Sequence, residues 1–96
     1  MRGAGEFTVI CFDISDDRRR RRVVRVLESF AYRAQESVFE GCLDGRERRR
    51  LRVALAKCID AGADRVAIYA LAPTDRADMV SLGRGLPADD FGHALL

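Results

Sequence analysis

The stretch Val9-Ile10-Cys11-Phe12-Asp13-Ile14-Ser15-Asp16-Asp17 ends the most hydrophobic run of the chain on a carboxylate and follows it with two more acids. A carboxylate left unpaired on a buried face is strongly destabilising. Asp13 must therefore stand at a rim, cap the following helix or pair with an arginine, or coordinate a metal. One aspartate makes a poor magnesium site, because magnesium takes one or two carboxylates together with waters and phosphates. Two copies of the chain facing each other across a two-fold axis would place two Asp13 carboxylates beside one ion. Arg18 to Arg22 follow directly, five consecutive guanidinium groups. The planar fork of arginine matches phosphate oxygens, so the run suits a phosphate-bearing partner.

The elements that must position these groups belong to one small domain of 96 residues. Hydrophobic residues make up 48% and charged residues 33%, the balance of a folded soluble domain rather than a disordered one. No apolar run approaches the roughly 20 residues of a membrane helix, and residues 1–6 carry no signal-peptide-like segment. The expected location is cytoplasmic. Cys11, Cys42 and Cys58 are odd in number and form no C-x-x-C, which reads as reduced thiols and excludes a usual zinc framework. His93, the single histidine, reads as incidental. The net charge of +2 hides an asymmetry: residues 16–52 hold twelve arginines against seven acids, a local +5. Lys57 is the only lysine. Codon bias toward arginine explains the Arg/Lys ratio as well as phosphate binding does, but not the clustering.

Phe7 to Ile14 reads as a strand with Phe7, Val9, Cys11 and Asp13 on one face and Thr8, Ile10, Phe12 and Ile14 on the other. Both faces are largely apolar, so the strand is expected to be central and covered on both sides. Ser15 or Asp16 caps a helix running to about Phe30, whose core stripe is Val23, Val26, Leu27 and Phe30. Tyr32 to Leu43 is extended, as one bent strand or two short ones, with Gly41 a candidate bulge or bend. Asp44 and Glu47 resemble a capping box opening a second helix to near Asp60, with Leu51, Ala54, Leu55 and Cys58 as its stripe. Arg65 to Leu71 is a third strand ended by Pro73. This order predicts an α+β ferredoxin-like sandwich with both helices on one sheet face. The other face then needs a cover, and a second copy of the chain is the simplest. The core spans about 7–72. Residues 74–96 hold a possible short strand at 79–82, and the segment reads either as a strand docking on a dimer partner or as a disordered tail.

Phe12-Asp13-Ile14, the Asp16-Asp17-Arg18 step, Arg33-Ala34-Gln35-Glu36-Ser37-Val38-Phe39-Glu40-Gly41 and Ile68-Tyr69-Ala70-Leu71 together resemble the CRISPR-associated protein 2 family over roughly residues 7–72. The resemblance implies a ferredoxin-like homodimer that joins the CRISPR integrase, CRISPR-associated protein 1, as a platform for spacer acquisition. It also implies metal-dependent endonuclease activity, in some members, on single-stranded RNA or double-stranded DNA. On that basis Asp13 is the catalytic and metal-binding residue, from both subunits, with magnesium or manganese as cofactor. Arg18, Arg19, Arg20, Arg22 and Arg33 carry over as nucleic-acid-binding residues, and Phe12, Ser37 and Phe39 as their supports. Glu36 departs from the aromatic or basic residue often found there and weakens nucleic-acid contact. Five consecutive arginines point all round a helix, so some are expected to be solvated or paired with Asp16, Asp17 or Glu28. The alternative is a ferredoxin-like RNA-binding or regulatory module without catalysis, which would read bases with aromatic residues on its open sheet face.

Overall fold

The computed structural model describes residues 5–78, 80–82 and 94–95. The β-branched run after Gly5 forms β1 (Glu6–Asp13), followed by α1 (Asp17–Glu28), β2 (Tyr32–Gln35), β3 (Val38–Leu43), α2 (Gly45–Ala56) and β4 (Arg65–Leu71). The four strands make one antiparallel sheet in the order β2-β3-β1-β4. This is the ferredoxin-like α+β arrangement, with β1 central as its two apolar faces require.

The 32–43 segment resolves into two strands joined by a turn at Glu36 and Ser37. The irregularity lies between Arg33 and Gln35, and not at Gly41, which sits in register opposite Thr8. Gly41 instead permits close approach: a Cβ there would lie 3.2 Å from the Ala31 Cβ. Both helices are shorter at their C-termini than the hydrophobic stripe suggested, because Ser29 and Lys57 close them while the stripe residues Phe30 and Cys58 still pack on the core from the exits.

Even-numbered residues of β1 face the helices. Ile10, Phe12 and Ile14 join Val23 and Leu27 of α1, Phe39 and Leu43 of β3, and Leu51 and Leu55 of α2 in the main core. The odd-numbered face is separate, with Phe7 packed among Val9, Ala34 and Leu71. Along it Tyr32, Glu40, Val9 and Tyr69 stand in one row across the four strands. Tyr32 and Tyr69 are exposed, whereas Glu40 is buried.

Residues 73–77 form a short helix, α3 (Pro73–Ala77), that the sequence reading lacks. Pro73 ends β4 and opens α3 at its first turn, a position where its missing N–H costs nothing. Arg76 of α3 lies over the Phe7 ring at 4.5 Å, so α3 shields one end of the odd face. Val80–Ser81 (β5) and Ala94–Leu95 (β6) pair in parallel as a separate small sheet. His93 and the rest of 83–93 lie outside the described residues. No helix among the described residues is long and apolar enough to cross a membrane.

Candidate active site and nucleic-acid interface

Asp13 is the last residue of β1, exposed, and in register with Arg65 of β4. Its carboxylate has no hydrogen bond or ion pair among the described residues, so both oxygens are free to bind a ligand. The strand end that carries it is fixed from below. The Phe12 amide donates to the Ser37 carbonyl at 3.1 Å, and the Phe12 ring packs on Phe39 with centroids 6.2 Å apart. Arg33 closes this stack, with its guanidinium 5.7 Å above the Phe39 ring and Nη2 donating to the Glu36 carbonyl at 2.7 Å. Phe12, Ser37, Phe39 and Arg33 thus form one support between Asp13 and the β2–β3 turn. Ser37 contributes through its backbone carbonyl.

The arginine run divides by helix geometry. Asp16 caps α1 by accepting from the Arg19 amide at 2.9 Å. That bond, chiefly, holds the Asp16 carboxyl below its usual range. Arg19 reaches across to the residue that precedes β4: its Nε donates to Asp64 at 2.7 Å and its Nη2 at 3.2 Å. The Asp64 side chain is fully enclosed and also accepts from the Asp60 amide. The Arg19 contact, then the Asp60 amide, depress the Asp64 carboxyl, and the same pair raises Arg19. Arg20 is held by Asp17 and by the Ile14 carbonyl at 3.0 Å. The expected pairing with Asp16 and Asp17 is therefore present, and Asp64 is a partner that nothing local in the chain marks.

Arg18, Arg21, Arg22 and Arg25 carry no ion pair among the described residues. At 3.6 residues per turn these four lie within an arc of about 100°, with Arg19 and Arg20 pointing outside it. Arg21 and Arg25 join Arg20 and Arg33 around a shallow groove between α1 and β2 that also includes Glu28. Arg21 and Arg25 belong to the basic surface expected over residues 18–25 but are not among the five arginines carried over as nucleic-acid-binding. The spacing 18, 21, 22, 25 was the available signal, hidden by the unbroken run.

The donor set bears on a metal. Among the described residues there is no group of three His, Cys, Asp or Glu side chains able to hold an ion. Asp13 supplies one free carboxylate per chain, which suits magnesium only where a second carboxylate or a phosphate completes the shell.

A family model described as CRISPR associated protein Cas2 matches residues 6–79. The chain belongs to the Cas2 family. A curated relative from Chloroflexus aurantiacus, named CRISPR-associated endoribonuclease Cas2 3, is 42% identical over 90 residues, which cover 94% of this chain and 97% of that protein. Among solved structures, the Thermus thermophilus protein TT1823 superposes with a TM-score of 0.78 at 34% identity, covering 88% of this chain and 96% of that one. A chain of a partial Cas6-RT-Cas1–Cas2 complex matches at TM-score 0.66 and 27% identity, covering 77% of this chain and 87% of its own. The family match spans the whole four-stranded sheet and both long helices, so the motif that ends in Asp13 lies within it.

Proposed function

We propose that this chain is a CRISPR adaptation protein that forms a homodimeric nucleic-acid platform with the Cas1 integrase and cleaves phosphodiester bonds through Asp13. The observation that carries the reading is the free, exposed Asp13 carboxylate on a strand end braced by Phe12, Phe39 and Arg33, in a Cas2-family chain. The likeness to a Cas2 chain from a Cas1–Cas2 complex supports the integrase partner. The names of the curated relatives support a nuclease, on single-stranded RNA or double-stranded DNA.

The odd face of the sheet supports the dimer. Two helices cover only the even face, which leaves Val9, Cys11, Tyr32 and Tyr69 for a second copy to meet. An isologous pairing on that face brings two Asp13 side chains toward the axis. Together they would hold one magnesium or manganese ion, which when bound polarises a phosphoryl oxygen and lowers the pKa of a water. Asp13 would serve as its ligand, and the phosphate itself is held by the arginines. Arg18, Arg21, Arg22 and Arg25 hold the flanking phosphates by charge, without reading sequence. No residue of this chain is assigned as general base.

The test is cleavage of labelled duplex DNA and single-stranded RNA by the protein and its Asp13→Ala form, with and without magnesium or manganese. Metal-dependent cutting by the native protein alone, with equal binding by both, is the expected result. Cutting by Asp13→Ala would refute the site, and binding without cutting by either form would leave the platform function alone.

A further inference from the structure

The two long helices do not close over the whole even face. Between α2 and the edge strand β4 runs a groove of about 580 Å³. Its floor is aliphatic: Ile59, Val66 and Ile68 line it, and all three are only partly buried although they adjoin the main core. Its rim is the exposed side of α2, where Arg48, Arg49 and Arg52 fall at i, i+1 and i+4. Arg48 is engaged by Glu6 at 2.7 Å and by the Leu43 carbonyl, while Arg49 and Arg52 are exposed and carry no ion pair among the described residues. Among the described residues no acidic side chain lines the groove.

We propose that this groove docks a protein partner through an acidic segment bearing projecting aliphatic or aromatic side chains. Two features favour a polypeptide over nucleic acid. Among the described residues the lining holds no aromatic ring on which a base could stack. Phosphates on the rim would also leave the aliphatic floor wet, whereas an amphipathic polypeptide satisfies both parts at once: apolar side chains dry the floor, and carboxylates meet Arg49 and Arg52. The groove is on the opposite sheet face from Asp13's neighbours Val9 and Cys11 and on a different helix from the α1 arginines. The proposal does not depend on nuclease activity or on the dimer.

The experiment is fluorescence anisotropy of the full chain with a labelled amphipathic peptide in which Glu and Asp flank Leu and Phe, beside its Lys-for-acid counterpart and labelled duplex DNA. The acidic peptide is expected to bind saturably and the basic one not. Arg49→Glu combined with Arg52→Glu should weaken the acidic peptide about tenfold or more, as two rim pairs are reversed. Ala56→Tyr, at an exposed lining position, should block the floor without removing a core side chain. Arg21→Ala with Arg25→Ala should leave peptide binding unchanged. Absence of saturable binding, or binding indifferent to the α2 and Ala56 variants, overturns the proposal. So does loss of duplex DNA binding in the α2 variant with no effect on the peptide, which would make the groove a phosphate surface.

Discussion

Replacing Arg22 and Arg19 separately distinguishes arginines that face phosphate from one that holds the fold. In sequence they are equivalent members of one run. In the structure Arg22 is exposed and unengaged on the α1 arc, while Arg19 is locked to an enclosed Asp64 across 45 residues of chain. Phosphate binding releases counterions, so log K falls with log salt by about 0.9 for each phosphate neutralised on duplex DNA. If Arg18, Arg21, Arg22 and Arg25 each meet one phosphate, a protomer contributes a slope of about −3.6. Raising salt from about 50 to about 200 mM then weakens binding about 150-fold. Arg22→Ala should reduce the slope to about −2.7 and that loss to about 40-fold.

Arg19→Gln should leave the slope unchanged and lower the melting temperature, since it strands Asp64. The assay is anisotropy of a labelled duplex over a salt series, at a temperature where circular dichroism shows each variant folded. An Arg19→Gln slope reduced as much as that of Arg22→Ala would refute the division. So would an Arg22→Ala variant with an unaltered slope.

Three further outcomes follow from the packing and the carboxylates. Leu51→Ala, at a fully buried core position, should cost about 2–5 kcal/mol, read from urea unfolding. Asp64 has a folded-state pKa below its unfolded value, so its contribution is present at neutral pH and lost as pH falls through the folded value. Asp64→Asn should therefore melt lower than the native protein at neutral pH, with the gap closing in strong acid; a constant gap would count against the ion pair. Glu40 is the opposite case. Burial, opposed by the charge of Arg76, raises its carboxyl, and its Oε1 is enclosed without a partner. Its protonated form favours the fold, so stability falls as pH rises from the unfolded carboxyl range through the folded value. Glu40→Gln should flatten that limb of the melting profile, and an unchanged profile would show that Glu40 is not its source.

What could be read from the chain and what could not divides by the range of the interaction. Asp44 and Glu47 declared their capping box because both bonds close within four residues, and the structure has both, at 2.9 and 2.8 Å. Arg65 to Leu71 showed its bounds by β-branching and a terminal proline. Asp13 was legible as a carboxylate ending an apolar strand, with a rim position one of three readings, and the structure places it exposed at the end of β1. The partner of Arg19 was not legible, since nothing local marks Asp64 among six acids in the last 44 residues. Nor was the burial of Glu40, a carboxylate that nothing local marks and that the structure encloses on the odd face of the sheet.

These two misses have one cause. Each is a charge whose environment is made by an element distant in sequence: α1 meets the α2–β4 loop at Asp64, and α3 returns over β1 to bring Arg76 near Glu40. The five-arginine run therefore cannot be assigned by composition. Its first turn spends Arg19 and Arg20 on the fold, and only the residues left on the 18–21–22–25 arc are free for phosphate. A basic run on a helix start is thus a mixture of structural and binding groups, and the salt slope is the quantity that counts the second kind.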